Sequence, residues 1–133
     1  MDELEEIRRK KLEALMSKAQ KVNSLEMPSE PIQITDGNFD EFVKRYDTVV
    51  VDCWAPWCGP CRMIAPVIDA LARDLQGRIV FGKLNTDENQ MTAVKYRIQA
   101  IPTLLVFHKG HLADRIVGAM PKDQILKKLQ EYI

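Results

Sequence analysis

The stretch Val51-Asp52-Cys53-Trp54-Ala55-Pro56-Trp57-Cys58-Gly59-Pro60-Cys61-Arg62-Met63-Ile64-Ala65-Pro66 decides the fold. Its first part belongs to a nearly continuous apolar run from Thr48 to Trp54, the mark of a central strand covered on both faces. Its second part opens a long helix from Cys58 to about Leu75. Ile64, Val67, Ile68, Leu71 and Leu75 recur on one side of that helix, and Gly77 stands where it should end. Pro66 is expected to kink it.

Cys58 and Cys61 are three residues apart, so a helix puts them on one face at a Cα separation of roughly 5 to 6 Å, within disulfide range. Pro60 suits the helix start, where a missing N–H costs nothing, and Gly59 leaves room for another chain to approach. The two sulfurs are not equivalent. Unpaired amides and the positive end of the helix dipole stabilise a thiolate at Cys58, an exposed nucleophile, while Cys61 lies a turn deeper as the resolving thiol. Haem attachment is ruled out by Arg62, since a histidine would have to follow the second cysteine. Zinc would need further ligands, and His108 and His111 are available. If the strand after Pro102 begins beside the cysteines, however, His108 lies on the order of 17 Å along it. Both histidines are expected to be exposed, flanking a turn at Lys109-Gly110.

Asp52 puts a carboxylate into an apolar strand six residues before Cys58. Burial there should raise its pKa and let it accept the proton that Cys61 must lose. Cys53, next in the strand, points to the opposite face and reads as an inert core residue.

Outward from this centre, short apolar runs alternate with helical patterns. A brief strand at Ile32 to Thr35 precedes a helix capped by Asn38 with Glu41 and carrying Phe39, Phe42 and Val43. Ile79 to Leu84 is a strand, Asn89 to Tyr96 a short helix, and Thr103 to Phe107 and Leu112 to Val117 are strands around Lys109-Gly110. Pro121 opens a last helix with Ile125, Leu126, Leu129 and Ile133 facing inward. The order β-α-β-α-β-α-β-β-α predicts an α/β fold, a mixed five-stranded sheet flanked by helices. Residues 2 to 22 form a charged amphipathic pattern in which Leu4, Ile7, Leu12, Leu15, Ala19 and Val22 share a stripe interrupted by Arg8 and Lys11. That pattern reads as a helical extension over 1–22, either solvated or used for docking or dimerisation. Residues 23–30 form a Pro-containing linker, and the folded domain spans 31–133.

The totals agree with one domain and an appendage: 133 residues, 46% apolar and 29% charged, with 19 Lys plus Arg against 19 Asp plus Glu. That balance offers no field for nucleic acid or an anionic membrane. Three cysteines cannot make a fully paired framework, and the acidic start Met1-Asp2-Glu3 does not resemble a leader, so a cytoplasmic location is expected.

The quoted stretch, together with Lys83-Leu84-Asn85-Thr86-Asp87, Ile101-Pro102-Thr103-Leu104 and Val117-Gly118-Ala119, resembles the thioredoxin family in order and spacing across residues 31–133. The resemblance implies the thioredoxin fold and a protein-disulfide reductase that needs no cofactor beyond its own Cys58–Cys61 disulfide. It further implies a cis peptide at Ile101-Pro102, with the Ile101 backbone pairing an extended substrate segment. Trp57, Gly59, Pro60 and Gly118 would form the surrounding surface, and Lys83 would tune Asp52. The implied partners are a thioredoxin reductase and disulfide-containing proteins, with the protein acting as a monomer. Cys53 stands where the family usually has an aromatic residue, and Pro56 where it often has a polar one. A binding module without turnover, or an oxidase or isomerase of disulfides, is the competing reading. Gly59-Pro60 between the cysteines favours the reducing branch.

Overall fold

The computed structural model describes residues 27–133, and the helical pattern proposed for 1–22 lies outside the described residues. The elements follow the expected order: β1 (Ile32–Ile34), α1 (Phe39–Arg45), β2 (Thr48–Trp54), α2 (Gly59–Asp74), β3 (Val80–Asn85), α3 (Gln90–Lys95), β4 (Thr103–His108), β5 (His111–Val117) and α4 (Lys122–Leu129). A 3-10 turn at Gln130–Tyr132 follows. The sheet runs β1-β3-β2-β4-β5, with the first three strands parallel and β4 and β5 antiparallel to their neighbours.

Strand alternation divides the interior into two layers. Val50 faces α2 and α4, joining Ile64, Ile68, Leu71, Phe81, Leu104, Ile125 and Leu129 in one core. Val49, Val51 and Cys53 face α1 with Ile34, Phe42, Val80, Leu84 and Phe107 in the other. Because β2 is central and buried on both sides, its run of apolar residues shows no polar alternation, as the sequence suggests. Asp52 shares the Val50 face, beneath α2.

Local signals work where the partner is nearby in sequence. Lys109 and Gly110 both adopt positive φ, 52° and 83°, the backbone that a two-residue hairpin requires, and His108 pairs with His111 across it. Helix α2 continues through Pro66, and Gly77 turns with φ 88° just beyond its end.

Two expectations need correction. The Asn38 side chain does not cap α1; its Oδ1 accepts from Thr35 N at 2.7 Å, engaging the turn behind it. The start of α3, which carried no capping expectation, is held by a distant segment. The acceptor there is Asp36, which takes N–H donors from Thr92 and Met91 at 2.9 and 3.3 Å and the Thr92 hydroxyl at 2.6 Å, while Asn89 Oδ1 holds the Asp36 amide. Finally, Ile133 is 40% exposed, because the helix gives way to the 3-10 turn after Leu129 and rotates the last residue off the apolar face.

Glycine at 82 is a packing requirement. A Cβ there would stand 2.8 Å from both Ile34 Cγ1 and Phe42 Cε1, where β1 and α1 close over β3. Gly82→Val should therefore destabilise the fold by about 1–3 kcal/mol through overpacking. Urea denaturation measures this, and an unchanged midpoint would show that the layer gives way freely.

Candidate active site

The site grows from the passage of β2 into α2. Strand pairing ends at Trp54, Cys58 N donates to Ala55 O at 3.1 Å, and the helix begins at Gly59 with Pro60 in its first turn. Cys58 is the N-cap residue. Its Sγ accepts the backbone N–H of Cys61 at 3.2 Å, so the sulfur itself satisfies one of the amides a helix start leaves unpaired. The two cysteines form a disulfide across a Cα separation of 5.3 Å.

The expected difference in exposure between the sulfurs is absent in this oxidised state: Cys58 is 4% and Cys61 3% exposed. Joined by the disulfide, both lie in a small apolar cluster with Ala55, against which Trp54 and Ile101 pack. What distinguishes them is the electrostatic setting. Only Cys58 occupies the cap, where amide hydrogens and the helix dipole favour negative charge.

The remaining residues of the expected surface converge here from two further segments and from the β2–α2 passage itself. The Ile101–Pro102 peptide is cis, and Ile101 O lies 3.8 Å from Cys58 Sγ. Gly118 N donates to Pro102 O at 2.9 Å, which ties the end of β5 to the start of β4. Gly118 has φ 94°, and Gly59 has open space where a Cβ would sit, so backbone is accessible at both positions. Trp57 is 69% exposed, yet its indole N–H is held by Asp87 Oδ2 at 2.9 Å. Asp87 was not among the residues singled out from the sequence. It ends the Lys83–Asp87 segment that carries the family resemblance, but only the fold brings it to Trp57.

Beneath the disulfide, Asp52 is 1% exposed, and no described residue hydrogen-bonds either carboxylate oxygen. Burial pushes its pKa up to about 7; Lys83 opposes that rise and Asp69 adds to it. Lys83 is the register partner of Asp52 across β2 and β3, and its ammonium lies 5.0 Å from the centre of the Trp54 ring. The pairing of Lys83 with Asp52 thus follows from parallel register. Trp54, which the sequence reading left in the strand, is a further member of this group, its Nε1 buried without a described partner.

Cys53 is fully buried in the opposite core, and burial pushes its thiol up to about 12. That thiol is inert at physiological pH. Of the histidines, His111 is exposed, whereas His108 is half-buried and its Nδ1 pairs with Thr48 Oγ1 at 2.9 Å. His108 faces Thr48 while Thr103 faces Cys53, so β4 carries the histidine to the end of β2 remote from the disulfide.

The buried carboxyl has a consequence for stability. The folded protein holds the Asp52 proton up to about pH 7, whereas the unfolded chain releases it near its ordinary value of 3.8. Stability therefore falls as pH rises between those values, and the penalty is complete above the folded value. Asp52→Asn should stabilise the oxidised protein above pH 7, by up to about 4 kcal/mol, and leave it unchanged near pH 4. Denaturation at the two pH values tests this; equal effects at both would mean that the carboxyl is not held protonated.

Comparison with known proteins adds the family context. The Thioredoxin family model matches residues 30–131. The chain is 52% identical over 101 residues to the M-type chloroplastic thioredoxin of Pisum sativum, covering 75% of this chain and 59% of the pea protein. It is 47% identical over 102 residues to a thioredoxin of Synechocystis, covering 76% of this chain and 95% of that one. A solved mutant thioredoxin from Halobacterium salinarum superposes with a TM-score of 0.75 at 32% identity, covering 80% of this chain and 93% of its own. With the Cys58–Cys61 disulfide seated at the start of α2, the chain belongs to the thioredoxin family of thiol-disulfide oxidoreductases, which act by dithiol-disulfide exchange.

Proposed function

We propose that the protein is a general protein-disulfide reductase in which Cys58 is the nucleophile, Cys61 the resolving thiol and Asp52 the proton acceptor. The observation that carries this reading is the position of Cys58 as N-cap of α2, its sulfur receiving a helix amide. In the reduced protein the same amide and the helix dipole stabilise the Cys58 thiolate.

That thiolate attacks one sulfur of a substrate disulfide, forming a mixed disulfide and releasing the first substrate thiolate, which takes up a proton. The Cys61 thiol then gives its proton to ionised Asp52, directly or through water. The Cys61 thiolate attacks the Cys58 sulfur, closes the intramolecular disulfide and releases the second substrate thiolate, which takes up a proton as Asp52 gives up its own. Two electrons have passed to the substrate. A separate reductase returns two electrons and two protons to Cys58 and Cys61.

Substrate binding is assigned to the surface formed by Trp57, Gly59, Pro60, Ile101, Pro102 and Gly118. Lack of side chains at Gly59 and Gly118 lets an extended segment approach the backbone of Ile101, adding main-chain hydrogen bonds beside the sulfur that is attacked. Lys83 tunes Asp52 by opposing the rise in its pKa. The partners that fit this chemistry are disulfide-containing proteins and a thioredoxin reductase, with the chain acting as a monomer and no cofactor beyond the cysteine pair. A reducing compartment, the cytosol, is proposed from the cysteine usage alone; the chloroplast location belongs to the pea relative.

Cys58→Ser should abolish reduction of insulin disulfides, whereas Cys61→Ser should accumulate mixed disulfides with its targets, visible on non-reducing gels. Turnover by either variant would sink the assignment. For Asp52, the acceptor must be ionised, so the resolving step should accelerate as pH rises through about 7. Asp52→Asn should lose that inflection and slow resolution by roughly tenfold or more, measured by single-turnover kinetics.

A further inference from the structure

Strand β1 forms one edge of the sheet, is only three residues long and pairs with β3 alone. Beside it, Ile32 and Ile34 of the strand and Phe42 and Tyr46 of and after α1 floor an open notch of about 190 Å³. Glu41 and Arg45 stand at its rim, one charge of each sign. The notch lies on the α1 face of the sheet, away from the disulfide, and nothing in the redox chemistry uses it. Apolar floors beside an edge strand invite a covering element.

We propose that the chain's own N-terminal segment is that element, the apolar side chains of Leu12, Leu15, Ala19 and Val22 seating in the notch between β1 and α1. Three observations favour this occupant. Met27, the first described residue, already packs on the core that contains Ile34, Phe42 and Tyr46, and its carbonyl accepts from Gln76 Nε2 at 2.9 Å. Val22 is five residues from Met27, a reach of at most roughly 17 Å, and so short a tether gives an effective concentration of order millimolar that a free partner would have to exceed.

The third observation is the segment's own pattern. Arg8 and Lys11 break the stripe in its first half, but Leu12, Leu15, Ala19 and Val22 follow at helical spacing without interruption. A helix over these residues would be about 15 Å long, comparable to the roughly 10 Å of the seven-residue α1 it would lie against. Glu13, Lys18 and Lys21 supply charges of both signs to meet Glu41 and Arg45. The volume of the notch accommodates side chains inserted from a helix lying across it, rather than the helix itself.

The test uses the full chain with isotope-labelled methyl groups. Nuclear Overhauser contacts are expected from the Leu12, Leu15 and Val22 methyls to the Tyr46 ring and the Ile32 methyls, within one molecule. In the same full chain, Leu15→Glu should abolish those contacts. It should also lower hydrogen-exchange protection of the β1 amides by about tenfold, equivalent to about 1.4 kcal/mol, while insulin reduction stays unchanged. Absence of the contacts in the unmodified chain would overturn the proposal. So would finding them only between differently labelled copies, which would make a second molecule the occupant, or unchanged β1 protection in the Leu15→Glu variant.

Discussion

A helix start leaves amide hydrogens without partners, and in this protein a sulfur atom accepts one of them. Cys58 Sγ receives the Cys61 amide at the point where β2 has just ended and α2 begins. The tight Ala55–Cys58 turn makes that transition possible, and Pro60 supports it by being preorganised for helix while lacking a hydrogen to satisfy. Much else is arranged around this junction. Buried Ile64, Ile68 and Leu71 hold α2 on the sheet, which fixes where its first turn lies. The Ile101–Pro102 segment, tied to Gly118 by a backbone hydrogen bond, meets the same turn from the antiparallel half of the sheet.

Asp52 shows what the site costs the fold. A carboxyl in the central strand, 1% exposed and with no described hydrogen-bond partner, stabilises less than an apolar side chain would. Its pKa rises to about 7 because burial outweighs the attraction of Lys83. A group that changes charge near neutrality is suited to moving protons, and it can do so only because the surrounding core keeps solvent away. Cys53, one residue on, illustrates the opposite outcome. Alternation turns its thiol to the other core, where burial makes it unreactive.

The supporting loops are joined over long sequence distances. Asp36, at the end of β1, accepts three hydrogen bonds from the start of α3, and the Thr92 hydroxyl is the leading cause of its lowered pKa. Asp87, just after β3, holds the indole of Trp57. Arg115 of β5 donates to the carbonyls of Tyr96 and Arg97 at the end of α3. These contacts tie the two ends of α3 to β1 and β5, ahead of the chain that leads to Ile101-Pro102.

The sequence by itself determined the elements and their order, because apolar periodicity and turn residues are local and each element reads them independently. Val49–Val51 declare a central strand, Ile64–Leu71 an amphipathic helix, and Lys109-Gly110 a hairpin. The Cys58–Cys61 spacing and the neighbouring family segments made the chemistry legible as well. Tertiary structure decided what depends on distant partners. It supplied Asp36 as the acceptor at the start of α3, turned Asn38 back into its own turn, brought Asp87 to Trp57 and left both disulfide-bonded cysteines buried. A hydrogen bond or an electrostatic field is set by distance in space, and residues 30 or 55 positions apart become neighbours only when the sheet and its two helical layers have assembled.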